Sequence, residues 1–235
     1  MQLGEQGSEP PELAVLPRGT GTDFVRTFGI PTRIADAVSV VAGGSTRTID
    51  AGRVAYRSWD GSPGQAWFAN VASAGMSGAV AQRANSTSKA MGGKVSFLWA
   101  TLAVFARWKP SEMELEVDGE RRSGLLYDVL VANCRYLAGG MRMTPQARPD
   151  DGLFDVLVIG DITRTDLALN LPKTYRGTHL PHPKLELLRG TTVRVDAATP
   201  LPVELDGEQP GTTPAQFDVV PGAIRLRVPH QGSTI

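Results

Sequence analysis

The segment Glu112-Met-Glu-Leu-Glu-Val117 alternates strictly between acidic and apolar residues and leads directly into Asp118-Gly119. Strict alternation is typical of a half-buried β-strand, and Asp-Gly between two such runs is among the strongest hairpin signals. The same signal returns downstream, where apolar residues alternate from Leu201 to Leu205 and lead into Asp206-Gly207. The two hairpins predict that most of this protein is β-sheet.

Further strand-sized segments surround these hairpins from about Thr46 to the end of the chain. Leu125 to Leu137 and Phe154 to Ile159 are more continuously apolar, as inner strands of a sandwich are, and alternation returns in Ile224 to Val228. The 26 Gly and 17 Pro residues among 235 exceed average usage and indicate many turns. We therefore predict a β-sandwich domain over residues 46–235.

Two helical insertions are predicted to interrupt this sheet. The first runs from Lys94 to Trp108 and stops at Pro110. The second runs from Arg164 to Leu171, where Thr165 and Asp166 suit a helix cap.

Residues 1–45 have a different pattern of residue types. A short apolar run, Leu13 to Leu16, is followed by the Gly-rich segment Pro17 to Asp23 and by a short helical segment, Phe24 to Phe28. A second helix is predicted after Thr32, and its apolar residues share one face: Ile34, Ala37, Val38 and Val41. One strand and two helices predict the end of an α/β layer, so the fold class is an α/β remnant followed by a mainly-β sandwich.

Composition excludes several classes of protein. The 24 Lys and Arg residues balance the 24 Asp and Glu residues, which argues against a nucleic-acid partner. The single cysteine, Cys134, excludes an internal disulfide and favours a reducing, cytoplasmic compartment. The longest apolar stretch, Val95 to Ala106, is too short to cross a bilayer, which needs about 20 residues, so no transmembrane segment is predicted.

Two segments have residue types suited to ligands, and each also has a plain structural interpretation. The Gly-rich segment 17–23 lies between a strand and a helix, where free backbone N–H groups favour a phosphate, but tight structural turns have the same composition. Asp150, Asp151 and Asp155 could bind a hard cation such as Mg²⁺, or simply form a capped turn before a strand. Local pattern alone favours the structural interpretation for both.

The tripeptide Asp-Gly-Glu occurs twice, as Asp118-Gly119-Glu120 and as Asp206-Gly207-Glu208. Each lies in a predicted hairpin, and the local pattern does not distinguish a catalytic glutamate from a solvated turn residue. We expect that at most one of the two glutamates is catalytic.

Three separated segments, taken together, resemble the bacterial branch of the diacylglycerol-kinase-type lipid kinase family. They are Leu16 to Arg26, Gly139 to Pro145 with Asp150 to Asp155, and Val203 to Glu208 with Val220 to Ile224. Two more blocks, Phe68 to Gly75 and Val131 to Tyr136, are similar to further family segments. The resemblance implies an ATP-dependent kinase that transfers the γ-phosphoryl group to a diacylglycerol-like hydroxyl in a cleft between a nucleotide domain and a β-sandwich domain.

The resemblance also implies roles for individual residues. Gly19 and Thr20 correspond to residues at the nucleotide phosphates, and Asp23 to a member of a carboxylate and water network behind them. Glu208 corresponds to the general base, which selects the second Asp-Gly-Glu turn. Thr22 stands where the family usually has Asn.

The resemblance places a Mg²⁺ site at the Asp151 carboxylate and the backbone carbonyls of Arg148 and Leu153. It also implies a lipid substrate at the membrane surface, with the protein cytoplasmic and peripheral on the inner membrane face. A homodimer through exposed sheet edges is a further expectation.

The family's Gly-Gly-Asp-Gly-Thr motif would precede Leu13, and the sequence does not contain it. We therefore expect that the chain lacks most of the nucleotide domain, with residues 1–45 as its C-terminal remnant. Two alternatives stay open. One is a non-catalytic β-sandwich module that binds a partner, and the other is a kinase for a sphingoid base or another alcohol.

Overall fold

The computed structural model of this chain describes residues 11–18, 21–86, 103–104 and 107–230. The strands in these residues are β1 (Glu12–Leu13), β2 (Ser45–Ser58), β3 (Pro63–Phe68), β4 (Val71–Gly75), β5 (Ser111–Val117), β6 (Glu120–Ala132), β7 (Phe154–Gly160), β8 (Leu185–Gly190), β9 (Thr192–Ala197), β10 (Pro202–Leu205) and β11 (Glu208–Val228). The helices are α1 (Asp23–Thr27), α2 (Ile34–Gly43), α3 (Met76–Ser86) and α4 (Arg164–Arg176). The prediction of a mainly-β fold is confirmed, whereas most of the helix predicted over Lys94 to Trp108 lies outside the described residues.

The strands form one sheet that folds back on itself. The strand order is β10-β4-β6-β5-β9-β11-β2-β3, and β10 also pairs with β11, so the two predicted layers are joined at that side. β7 and β8 extend the sheet from β6. Both predicted hairpins are present, because Asp118-Gly119 connects β5 to β6 and Asp206-Gly207 connects β10 to β11.

The main core lies between the layers and follows the predicted alternation. Met113, Leu115 and Val117 of β5 all point into it, together with Phe154 and Phe217. Phe68 stacks on Phe154 with ring centroids 5.5 Å apart and meets Phe217 edge-on at 6.4 Å. Removing these large apolar side chains from water is the main stabilising term for the sheet.

The opposite face of β6 and β7 carries a second apolar layer. Leu130 lies between core residues in sequence yet belongs to this outer cluster with Leu157 and Ile159. Helix α4 begins with a capping box in which the Thr163 hydroxyl accepts from the Asp166 N–H and the Asp166 carboxylate accepts from the Thr163 N–H. The predicted helix is therefore confirmed, but its cap is Thr163, not Thr165, because the helix starts at Arg164.

The N-terminal helices pack at the end of the sheet. In α1, Val25 is buried in a cluster that includes Ile49 of β2 and Leu226 of β11. Helix α2 is present as predicted, but its buried residues are Ala37 and Val40. Its larger apolar side chains are exposed, namely Ile34, Val38 and Val41. The predicted strand 13–16 is reduced to β1, which pairs in parallel with β11.

Candidate active site

The turn between β10 and β11 has positive φ angles at two residues whose types favour them. Asp206 has φ of 50° and Gly207 has φ of 98°. Aspartate visits the left-handed region more readily than most residues, and glycine adopts it without a Cβ penalty. The tight turn places Glu208 at the first position of β11.

The Asp206 carboxylate ties this turn to the neighbouring one between β3 and β4. It accepts the backbone N–H groups of Ala69 at 2.8 Å, Asn70 at 3.0 Å and Val71 at 3.0 Å. Asp206 as a residue is exposed, but the protein packed around its carboxylate reduces the hydration of that group and raises the pKa of Asp206, although the three N–H donors act in the opposite direction. One side chain thus anchors two loops to each other.

Glu204, at the end of β10, also stabilises this turn. Its carboxylate accepts the Gly207 N–H, and the Ser73 hydroxyl of β4 lies 3.2 Å from its second oxygen. The residue as a whole is half-buried, but the carboxyl end is enclosed by protein, and this loss of hydration raises the pKa of Glu204 to about 8. The turn therefore rests on a carboxyl group that is mostly neutral at neutral pH.

The Glu208 side chain itself is exposed. Among the residues that the structure describes, none forms a hydrogen bond or an ion pair with its carboxylate. A carboxylate that is open to solvent and held on an anchored turn can accept a proton from a bound hydroxyl group.

The asparagines of the two further family blocks connect the surrounding loops. Asn133 is fully buried, and its Nδ2 donates to the carbonyls of Asp50 and Ala69, each at 2.9 Å. Asn70 Nδ2 donates to the Tyr136 carbonyl at 3.0 Å. These amides join the turn that Asp206 holds to the loop that follows β6.

That loop in turn meets the Gly-rich segment. The Asp23 carboxylate accepts the Gly139 N–H at 2.8 Å through one oxygen, and its other oxygen is buried without a partner among the described residues. The Arg135 N–H lies 3.4 Å from the Thr27 hydroxyl of α1. Asp23 is therefore brought to this site, whereas Gly19 and Thr20 lie outside the described residues.

The predicted Mg²⁺ residues lie on a loop that Asp50 holds. Asp50 accepts the N–H groups of Gly152 and Gly222, each at 2.8 Å. The Asp151 carboxylate, however, is hydrogen-bonded to Arg189, whose guanidinium also lies 3.6 Å from Asp155. The positive charge of Arg189 compensates only one of these two carboxylates, and in this arrangement the Asp151 oxygens accept from Arg189 and from the Leu153 N–H.

The described residues also contain no group of three or more acidic, histidine or cysteine side chains that could hold a metal. A site built from one carboxylate and two carbonyls, those of Asp151, Arg148 and Leu153, stays a prediction.

The structure thus brings together segments that are far apart in sequence, namely Asp23, Asn70, Asn133 and the Asp206-to-Glu208 turn. Sequence reasoning missed Glu204, Asp50 and the linking role of Asn133. The only local signal for Glu204 is a charged residue between the inward-pointing Val203 and Leu205, and exposed edge residues give the same pattern.

Two family models match this chain. The YegS C-terminal NAD kinase beta sandwich-like domain matches residues 70–228, and the diacylglycerol kinase catalytic domain matches residues 2–54. This chain belongs to the diacylglycerol-kinase-type family. The resemblance that the sequence blocks indicate is therefore confirmed.

Relatives in the family are named diacylglycerol kinase. The protein of Mycobacterium tuberculosis strain H37Rv is 32% identical over 224 residues, which cover 94% of this chain and 70% of the relative. That of Staphylococcus carnosus strain TM300 is 27% identical over 207 residues, 88% of this chain and 65% of the relative. A crystal structure of a diacylglycerol kinase from Bacillus anthracis str. Sterne superposes with a TM-score of 0.63 at 18% identity, covering 93% of this chain and 67% of that one.

The comparisons support the family and the mainly-β fold. The division at residue 45, the missing part of the nucleotide domain and the homodimer stay predictions. In the described parts of the chain, no helix is both long enough and apolar enough to cross a bilayer.

Proposed function

We propose that this protein is an ATP-dependent lipid kinase that phosphorylates the hydroxyl group of a diacylglycerol-like lipid at the membrane surface. The observation that carries the proposal is the exposed carboxylate of Glu208, which has no partner among the described residues, on a turn held by Asp206 and Glu204. Membership of a family whose relatives are named diacylglycerol kinase supports the choice of donor and acceptor.

In the proposed reaction, Glu208 accepts the proton of the lipid hydroxyl while the hydroxyl oxygen attacks the γ-phosphorus of ATP. The bond from the γ-phosphorus to the oxygen that bridges it to the β-phosphate breaks, and ADP leaves with that oxygen. Phosphoryl transfer asks the protein mainly to position the reactants and to stabilise charge. A turn fixed by three backbone N–H bonds suits the positioning role.

The ATP phosphates would lie against the Gly-rich loop, where we assign Gly19 and Thr20 to the phosphates and Asp23 to the network behind them. One buried oxygen of Asp23 has no partner among the described residues, which supports this assignment, because that oxygen can accept a further hydrogen bond from water or nucleotide. No step of the proposal requires a cation at Asp151.

The direct test is transfer of label from radiolabelled ATP to lipid. Because we expect this chain to lack most of the nucleotide domain, the assay compares it with a version extended upstream through the family's Gly-Gly-Asp-Gly-Thr motif. We expect the extended protein to label dioleoylglycerol in mixed vesicles and to form the corresponding phosphatidic acid. Labelling of a sphingoid base instead would transfer the proposal to that acceptor. Absence of label in every lipid would overturn the proposed function.

A further inference from the structure

Helix α4 has an exposed face that is partly apolar. Its inner face packs through Leu167 against the cluster that includes Met76 of α3, and through the buried Thr174. Exposed residues occupy the other side of its second half: Ala168, Leu169, Pro172, Lys173, Tyr175 and Arg176. Leu169 is 67% exposed and Tyr175 43%. A helix that faces only water presents polar residues on this side, so the apolar side chains point to a partner.

The free charges on this face have one sign. Lys173 and Arg176 form no ion pair with a described residue. The single acid of the helix, Asp166, is held in the capping box. The helix dipole favours basic residues in the last turn, but it does not account for Leu169 and Tyr175 beside them. Basic groups around an apolar centre match an anionic lipid surface, whereas a nucleic acid would leave the apolar centre unused.

The basic end of α4 adjoins the candidate active site. The Thr174 carbonyl accepts the Arg142 N–H at 2.8 Å, and the same loop donates the Gly139 N–H to Asp23 at 2.8 Å. The helix ends at Gly177, where a Cβ would lie 3.2 Å from Cδ of Arg142. Only the short loop 139–142 separates the last turn of α4 from Asp23. A bilayer that contacts this face therefore lies next to the site.

We propose that the exposed face of α4 binds the surface of a bilayer rich in anionic phospholipid. Leu169 and Tyr175 enter the interface, and Lys173 and Arg176 lie against the lipid phosphates. The inference rests on the proposed function and names the surface through which the protein meets the membrane that holds its acceptor. It also makes binding depend on the product, because the phosphatidic acid formed in the proposed reaction is itself anionic.

The test is binding of this chain to sedimented vesicles in the absence of ATP. We expect vesicles of mixed phosphatidylcholine and phosphatidylglycerol to bind the native chain at least about tenfold more tightly than vesicles of phosphatidylcholine alone. Added salt should reduce this preference, because it screens the attraction between the basic side chains and the lipid phosphates.

Two double variants with the same change in charge locate the binding surface. Each basic residue near an anionic surface strengthens binding about fivefold, so Lys173→Gln combined with Arg176→Gln should weaken it at least about tenfold. The control combines Arg57→Gln with Arg121→Gln, which lie in a surface groove of the sheet. That groove also contains acidic side chains: Glu114, Glu116 and Asp196. The control should keep its affinity within about twofold of the native value.

A fluorescent label at position 169 tests the apolar centre and leaves the charges unchanged. Cys134 is fully buried, so a thiol-reactive fluorophore labels Leu169→Cys at the new site alone. We expect its emission to shift to shorter wavelength when anionic vesicles are added, because the label enters the interface. The same label on Leu125→Cys, at a position of β6 that is 48% exposed, should show no shift.

Equal binding to both kinds of vesicle, native affinity in the Lys173 and Arg176 double variant, or an unshifted label at position 169 would overturn the inference. Phosphoryl transfer to lipid together with any of these results would retain the proposed function and reject this surface. Binding through α4 without transfer by the extended protein would leave the surface assigned and overturn the proposed function.

Discussion

Glu116-Val-Asp-Gly-Glu120 and Glu204-Leu-Asp-Gly-Glu208 differ in a single apolar residue, and the molecule folds them in the same way. Both form hairpin turns in which the aspartate and the glycine have positive φ. In both, the aspartate carboxylate accepts backbone N–H groups from another turn. Asp118 binds Thr191 and Thr192, as Asp206 binds residues 69 to 71.

The glutamates that precede the two turns, Glu116 and Glu204, have opposite surroundings. Glu116 bonds to Arg121 and Arg194, and the hydrogen bond from Arg121 is the main reason that its pKa is lowered. Glu204, at the matching position, meets Ser73 and has its pKa raised to about 8 by burial. The comparison teaches that the neighbouring strands, and not the tripeptide, decide whether such a turn can support chemistry.

The largest expected contrast is in activity. Glu208→Gln removes the proposed proton acceptor and should lower the rate of label transfer to lipid by at least about 100-fold. Glu120→Gln removes a carboxylate that is paired with Arg122 at 3.2 Å on the surface, and the rate should stay within about twofold. Equal losses in the two variants would mean that Glu208 has no special role.

The next contrast is in stability. Asp206→Asn keeps a residue that tolerates positive φ but turns an N–H₂ group toward the Ala69 N–H, so we expect a loss of about 2 kcal/mol. Asp118→Asn keeps its acceptor oxygen toward Thr192 and should cost about 1 kcal/mol. Urea unfolding monitored by circular dichroism measures both values, and a greater loss for Asp118→Asn would contradict the ranking.

A third contrast is in pH dependence. Because the folded pKa of Glu204 is raised from 4.5 to about 8, folding favours its protonated form, and the free energy of unfolding should fall as pH rises through this window. Glu204→Gln should reduce that slope by about 1 kcal/mol per pH unit. Asp128 and Asp206, which are shifted in the same direction, maintain the remaining slope.

Glu116→Gln provides the control for this measurement. The pKa of Glu116 is lowered, so its contribution to stability is present above its ordinary value and disappears as pH falls through the folded pKa. The variant should leave the decline between about pH 5 and pH 8 unchanged. A slope reduced equally by both substitutions would show that burial at Glu204 is not its cause.

The smallest expected effect is at the surface of the first turn. Arg122 is 40% exposed and pairs with Glu120 and Glu186. Exposed ion pairs contribute little, so Arg122→Gln should shift the melting temperature by no more than about 2 °C and leave the transfer rate unchanged. A large shift in calorimetry would mean that the first turn depends on its charges more than its exposure indicates.

Local signals predicted the elements whose periodicity is strong. Both hairpins follow from alternation and Asp-Gly, and β7 follows from the run that begins at Phe154. Local signals failed where packing overrides them. Ala37 and Val40 of α2 are buried while Ile34 is exposed, because the helix presents a different face to the sheet. Asp128 is a single acidic residue in an apolar run of sequence. Only the pairing of β6 with β4 places its buried carboxylate where it accepts the N–H and the hydroxyl of Ser77 at the start of α3.

The sequence by itself determined the hairpin turns, the mainly-β fold and, through its ordered blocks, the family. These depend on local backbone preference and on residue types that follow one another along the chain. Only the tertiary structure decided which Asp-Gly-Glu turn is anchored beside a buried carboxyl group, because Glu204, Ser73 and Asp128 lie on three different strands. Hydration and charge at a site depend on what surrounds it in space, and the chain order does not contain that information.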